Sequence, residues 1–252
     1  MKDVSFIVKS FERPDCTRVL VDSIMKFYPK NKIIIADDSE TPEPILGPNI
    51  TWFDLPHDSG LSKGRNELVK RVKTKYFVLL DDDFIFTDKT KIEYFVSVME
   101  NTNLDICGGE VFNYKENKML SYFANFVFKE DGYHLVQSPV DHKNTSNVRF
   151  CELILNFFIA RTDSIRRMGG WDPDLKVAEH TDFFLRCKKA NVHVGYTPTV
   201  IINHSQERPE GSKYTKYRMR GRQFTDLMIH KQNLTTLTNV HGASTYRPHI
   251  KK

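Results

Sequence analysis

The sequence predicts an α/β fold, and three features point there. Strand-like and helix-like segments alternate through about residues 1–100. The strand-like segments are short and apolar, as in sheets buried on both faces. Several of them end in acids; in the clearest case Tyr76-Phe77-Val78-Leu79-Leu80 runs straight into Asp81-Asp82-Asp83. Three adjacent carboxylates at the mouth of a core strand repel one another unless a cation neutralises them, and hard oxygen ligands suit Mg²⁺ or Mn²⁺. In open α/β sheets, ligands bind outside the carboxyl ends of the strands, where these acids fall. A solvated acidic turn is the competing reading.

In chain order, Val4 to Val8 reads as a first strand, followed by a helix over Asp15 to Tyr28 with Asp15 as N-cap after Pro14 and Pro29 as stop. Lys32 to Ala36 is a second strand, the proline-containing Glu40 to Asn49 an irregular connection, and Ile50 to Phe53 a third strand. Gly60 to Asn66 reads as a glycine-bearing loop before a helix over Glu67 to Val72. After the acidic strand come a helix over Lys89 to Glu100 and strands over Asp105 to Val111 and Met119 to Phe128. Gly132 to Asn147 is polar and poorly patterned, as in a surface loop, whereas Cys151 to Ala160 is apolar around Asn156. A short helix over Asp163 to Met168, a turn at Gly169 to Pro173, a helix over Asp182 to Ala190 and strands over Val192 to Tyr196 and Thr199 to Ile202 follow, ending at Asn203-His204. Beyond Ser205 the expectation is a mobile basic segment with some helix at about Tyr214 to His230.

A chain of 252 residues can bury a substantial core. Cys16, Cys107, Cys151 and Cys187 lie far apart and form no CxxC pair, so a zinc site is poorly supported and no disulfide framework is required. No apolar run approaches the roughly 20 residues that span a bilayer, and Met1-Lys2-Asp3 leads into a strand. The chain therefore reads as cytoplasmic, with peripheral contact at the inner membrane face, or as a catalytic domain separate from its membrane anchor. From Arg208 to Lys252 there are ten Lys or Arg against two acids, Glu210 and Asp226. Such a segment suits an anionic partner: a diphosphate, an acidic membrane or a nucleic acid.

Three constellations carry chemistry. Ser10, Phe11, Glu12 and Arg13 follow the first strand, Asp37 and Asp38 the second, and Asp81 to Asp83 the fourth; parallel strands bring all three ends to one crevice. Taken alone, Asp37-Asp38-Ser39 is equally an Asx-turn. In Gly60 to Asn66, Arg65 offers a planar fork for a phosphate or a base carbonyl, but no Lys-Ser/Thr pair completes a P-loop. The last constellation joins Glu179-His180-Thr181-Asp182 with His204. One of these groups suits general-base work, yet Thr181 or Asp182 serves equally as a helix cap and His204 as a structural histidine. Trp171 is a sugar-stacking plate or a core residue.

Together these residues resemble the GT-A glycosyltransferases, specifically the inverting family 2-like group. The run is Ser10-Phe11-Glu12-Arg13, Asp37-Asp38-Ser39, Gly64-Arg65-Asn66, Asp81-x-Asp83, Gly169-Gly170-Trp171-Asp172, Glu179 and His204, covering about residues 3 to 205. Within that group the chain resembles the β-1,4-N-acetylgalactosaminyltransferase type through Ile35 to Ser39, Thr74 to Tyr76, Asp81 to Phe84, Asn156 to Asp163 and His180-x-Asp182-Phe183-Phe184-Leu185. The resemblance implies a single Rossmann-like domain with a mixed, mostly parallel sheet. Its nucleotide-binding half covers about residues 1–100 and its acceptor half about 101–205, with 206–252 as a basic lid or membrane-contact segment. It also implies a UDP-sugar donor, UDP-GalNAc first, and a glycan or glycolipid acceptor.

By the same resemblance, Asp37 or Asp38 and Arg65 hold the uridine, and Asp81 lies near the ribose and donor sugar. Asp83 ligates Mn²⁺ or Mg²⁺ with His204 as second ligand, and Asp82 completes the strand end. Trp171, Asp172 and Asn156 lie on the sugar and acceptor side. Family 2 enzymes often have Glu-Asp where this chain has Glu179-His180, so His180, Asp182 and Glu179 all stand as candidate bases, in that order. Two other classes compete. A sugar nucleotidyltransferase would need a glycine-rich phosphate loop after the first strand, which Lys9 to Pro14 lacks. A non-catalytic protein binding an anionic polymer or membrane would use the tail, where Tyr214, Tyr217, Arg218, Arg220 and Arg222 interleave rings and cations. A nucleic-acid partner is not expected.

Overall fold

The computed structural model describes residues 1–120, 123–129, 134–140, 147–205 and 213–246. Its first half alternates β1 (Val4–Ser10), α1 (Pro14–Phe27), β2 (Lys32–Asp37), β3 (Ile50–Asp54), α2 (Leu61–Arg71) and β4 (Tyr76–Asp81). The four strands are parallel in the order β3-β2-β1-β4. Strands β1 and β4 are apolar on both faces because both faces are covered. Ile7, Phe77 and Leu79 join one core with Leu68 and Val69 of α2, while Phe6, Val8, Val78 and Leu80 join the other with Leu20 and Ile24 of α1. Register then sets the site. Ser10 lies opposite Asp37 and Lys9 opposite Asp81, so the strand ends form one row.

The second half comprises β5 (Phe84–Ile85), α3 (Ile92–Asn101), β6 (Ile106–Asn113), β7 (Lys118–Leu120), β8 (Phe123–Phe128), β9 (His134–Pro139), β10 (Arg149–Cys151), β11 (Leu153–Ile154) and β12 (Phe158–Arg161). It continues with α4 (Thr162–Arg167), α5 (His180–Lys189), β13 (Val194–His204), α6 (Lys213–Arg218), α7 (Gly221–Lys231), β14 (Thr236–Thr238) and β15 (Ser244–Tyr246). Strand β12 runs antiparallel between β4 and β6, and β13 extends the sheet parallel to β6. The end of β13 pairs with β5, setting His204 opposite Phe84 and therefore beside Asp83. A second sheet runs β11-β8-β9-β14-β15.

Several expectations need correction. Helix α1 begins at Pro14, so Asp15 lies in its first turn and not at the cap. Helix α2 begins at Leu61, which makes most of the expected Gly60 to Asn66 loop helical. The expected strand over Met119 to Phe128 divides into β7 and β8, and the expected loop over Gly132 to Asn147 contains β9; residues 132, 133 and 141–146 lie outside the described residues. Two expected strands over Val192 to Ile202 are one, with a register shift between Tyr196 and Ile201 around Pro198, which has no N–H for the ladder.

The helix expected at about Tyr214 to His230 in the basic tail is present as α6 and α7; residues 206–212 and 247–252 lie outside the described residues. Phe224, Met228, Ile229, Leu234 and Leu237 are buried in the main core, and β14 pairs with β9. A helical apolar stripe and one ladder strand hold it there, with its cations facing outward or into the cleft. The part of this segment that is described packs on the main hydrophobic core. The four cysteines are free, and no helix among the described residues is long and apolar enough to cross a membrane.

Candidate active site at the carboxyl ends of the sheet

A cavity of about 230 Å³ lies over the row of strand ends. Asp81, Asp82 and Asp83 line its floor, with His204 from β13 and Arg13 from the β1–α1 junction. Arg13 forks across two acids: Nη1 donates to Asp83 Oδ2 at 2.8 Å, and Nη2 donates to Asp82 Oδ1. His204 Nε2 lies 3.3 Å from Asp83 Oδ1, and the backbone N–H of Ser205 donates to Asp83 O at 2.9 Å. Burial opposes ionisation of Asp83, but the His204 contact and the Arg13 charge outweigh it and hold the carboxyl below the usual range. Asp82, more deeply enclosed, is pushed up by burial against the pull of Arg13. The two neighbouring acids thus stand in different environments.

The chemistry of this pair fits a hard divalent cation. Cis ligands around an octahedral ion with bonds of about 2.1 Å lie about 3 Å apart, close to the 3.3 Å between Asp83 Oδ1 and His204 Nε2. Among the described residues no three His, Cys, Asp or Glu gather around one point. Phosphate oxygens and water would therefore complete the shell, as is common for Mg²⁺.

On the nucleotide side, Phe11, Arg13 and Asp38 line the cavity, whereas Ser10, Glu12 and Asp37 do not. Asp37 Oδ1 accepts from Ser39 N at 2.8 Å and Ser39 Oγ at 2.5 Å, so its side chain forms the Asx-turn. Ser10 Oγ lies 2.9 Å from Thr17 Oγ1, and Glu12 accepts from Glu40 N at 2.7 Å. Asp38 is ion-paired with buried Lys9 and accepts from Gly60 N at 2.7 Å. Gly60 has φ 88°, and a Cβ there would come within 2.6 Å of Lys176 Cα, so this bend requires glycine.

Arg65, expected at the uridine, lines the cavity and is ion-paired within its wall. Its guanidinium is 1 % exposed, donates to Glu179 Oε1, and reaches Asp81 Oδ1 at 3.1 Å. Both terminal nitrogens therefore serve acids of the cleft wall. Ala178, in the left-handed region at φ 59°, turns the chain so that Glu179 and His180 line the cavity beside Asn156. His180 Nε2 lies 2.5 Å from Ile154 O; a carbonyl only accepts, so Nε2 carries the proton and Nδ1 the lone pair. Burial pushes the His180 pKa down, which favours the neutral ring.

Asp182, Trp171 and Asp172 do not line the cavity. Helix α5 starts at His180, so Asp182 caps nothing; it is fully buried and accepts from Gln232 Nε2 at 2.6 Å. Trp171 is 1 % exposed and stacked on Phe183 at 4.1 Å, with Arg65 5.8 Å from its ring centroid. It is the core residue of the two readings and backs Arg65 where a sugar plate would need an open face. Asp172 holds Lys231 of α7 at 2.6 Å.

Lys9, Asp58 and Lys176, for which the sequence gives no signal, also line the cavity, as do Tyr214, Tyr217, Arg218 and Arg220 of the segment expected as a basic lid or membrane contact. Tyr214 covers Arg13 with its guanidinium carbon 3.9 Å from the ring centroid, and Tyr217 Oη lies 2.9 Å from His57 Nε2. Arg220 forks onto Asp58 at 2.9 and 2.6 Å, and Lys176 adds a bond to the same acid at 2.8 Å. Only the ring–cation interleaving of the tail signalled any of this in the sequence.

The fold matches solved structures of the GT-A glycosyltransferase type. GalNAc-T7, solved with UDP, GalNAc and Mn²⁺, matches with a TM-score of 0.65 at 14% identity, over 84% of this chain and 45% of its own. TarS from S. aureus, residues 1–349, matches at 0.57 and 14% identity over 90% and 64%. Residues 5–162 match the model described as Glycosyl transferase family 2, and the chain belongs to that family. Among curated relatives, β-1,4 N-acetylgalactosaminyltransferase 1 of Rattus norvegicus is 35% identical over 239 residues, 86% of this chain and 43% of its own. β-1,4 N-acetylgalactosaminyltransferase 2 of Mus musculus is 37% identical over 209 residues, 82% and 40%. The chain thus spans less than half the length of these relatives.

Proposed function

We propose that the chain is a metal-dependent, inverting glycosyltransferase that moves GalNAc from UDP-GalNAc to a hydroxyl of a glycan or glycolipid, forming a β-linkage. The observation that carries this reading is the Asp83–His204 pair, 3.3 Å apart on the floor of a cavity that also holds Arg13 there and whose rim supplies Arg218 and Arg220. Anionic floor and cationic rim together suit a metal–diphosphate better than either alone. The relatives are N-acetylgalactosaminyltransferases, which favours GalNAc, and GalNAc-T7 was solved with UDP, GalNAc and Mn²⁺, which favours UDP and a divalent ion. Held by Asp83 and His204, Mn²⁺ or Mg²⁺ would supply Lewis-acid stabilisation of the charge building on departing UDP. Asp38 and Phe11 serve the nucleoside, and Asp81 the ribose and donor sugar.

His180 takes the acceptor proton. Its Nδ1 lone pair accepts the hydrogen as the hydroxyl oxygen attacks the anomeric carbon opposite the leaving diphosphate, which inverts that centre. Glu179 is a weaker base because Arg65 holds its carboxylate, and Asp182 because it is bonded to Gln232 outside the cavity lining. Incubating the purified protein with a panel of UDP-sugars in Mn²⁺ or EDTA tests the reading. UDP release with UDP-GalNAc in Mn²⁺ and none in EDTA is expected; release undiminished by EDTA overturns the metal role.

The pH profile tests the base. The folded pKa of His180 is lowered by burial, so the ring is deprotonated through neutral pH and protonates only below the ordinary value of about 6.5. kcat/KM should stay flat through pH 7 and fall as pH drops below about 6.5, with the limb absent and the rate lowered roughly 10²–10⁴-fold in His180→Gln. A limb that persists in His180→Gln assigns the proton to another group.

A further inference from the structure

We infer that Arg13 is the internal counter-ion that makes metal binding conditional on the diphosphate, a positioning role that rests on the donor-site reading above. Its guanidinium bridges both acids that face the metal position, donating to Asp83 Oδ2 at 2.8 Å and to Asp82. The side chain is 8% exposed and lines the cavity, so it is held in place yet faces an incoming ligand. Tyr214, from helix α6 of the C-terminal segment, covers its face at 3.9 Å and ties that segment to the acid pair.

Charge counting gives the consequence. Asp82, Asp83 and Arg13 sum to −1, from two carboxylates and one guanidinium. A divalent ion arriving alone on Asp83 raises this set to +1, with two cations bound to one carboxylate. An arriving diphosphate reverses that imbalance, and it offers the same planar fork a second set of oxygens. Metal and nucleotide therefore bind together far better than either binds alone, with Arg13 setting the size of the coupling. The arrangement keeps the acids satisfied in the free protein and discourages a stray cation from occupying the site.

Titrating Mn²⁺ into the protein with and without UDP, reading free Mn²⁺ by its electron paramagnetic resonance signal, tests the assignment. Wild type should bind Mn²⁺ weakly alone and much more tightly with UDP. In Arg13→Gln the affinity for Mn²⁺ alone should rise about tenfold, the scale of removing one nearby unit charge, and the gain from UDP should shrink correspondingly. Arg13→Lys, which keeps the charge, should bind Mn²⁺ alone as wild type does. If Arg13→Gln does not fold, Tyr214→Leu decides: a rise of about threefold, from a loosened guanidinium, supports the role. Unchanged Mn²⁺ affinity in whichever variant decides overturns it. Asp83→Asn separates the two layers. Should it bind Mn²⁺ like wild type, the donor-site reading itself fails; should it lose Mn²⁺ while Arg13→Gln gains nothing, only the counter-ion role fails.

Discussion

Asp83→Asn is expected to lower UDP release from UDP-GalNAc by roughly 10²–10³-fold at saturating Mn²⁺, the range found when one preorganised electrostatic contact to developing charge is removed. The change keeps the shape of the side chain but removes the charge that Arg13 and His204 face. His204→Ala should lose activity comparably. The double variant should be hardly worse than either single one, because both residues act through one ion. Steady-state kinetics across a Mn²⁺ series checks this. Full additivity would mean that the two side chains do separate work, and an active Asp83→Asn would remove the acid from the mechanism.

The parts of this site visible in the sequence were those set by strand ends. A short apolar run that stops at a carboxylate announces both a buried strand and the edge of a crevice, which places Asp81, Asp82 and Asp83 from local pattern, whereas Asp38 and His204 stay open until the family resemblance is added. Side-chain direction was not visible. Asp37 and Asp38 are neighbours, yet one forms an Asx-turn with Ser39 and the other faces the cavity. Trp171 and Arg65 were both read as ligand-binding because each type commonly is; their roles depend on Phe183, Glu179 and Asp81, which are distant in sequence. The place of the tail is likewise set by distant partners. Net charge dominates its composition, while five apolar residues and one ladder strand decide where it sits. Long-range packing overrode a compositional signal.

The same distant partners make Arg65 the residue whose loss should destabilise the fold most. Buried Arg65 neutralises Glu179, which is 3% exposed, and contacts Asp81, whose side chain keeps about a third of its surface in the cleft (35%). Removing one partner of a buried ion pair typically costs about 3–5 kcal/mol because the other charge is left without compensation. For a domain of this size each kcal/mol moves Tm by roughly 2–4 °C, so Arg65→Gln should melt on the order of 10 °C below wild type. The solvated part of Asp81 argues for the lower end of the energy range. Arg65→Met with Glu179→Met should recover much of the stability, since apolar side chains of similar volume often replace a buried pair without loss. That double variant should remain inactive if Arg65 works by holding Asp81 and the Glu179–His180 turn in place. Thermal melts and UDP release on the same three proteins, wild type included, separate the two contributions: recovered Tm without recovered turnover locates the role of Arg65 in the site, while recovery of both reduces it to a packing element.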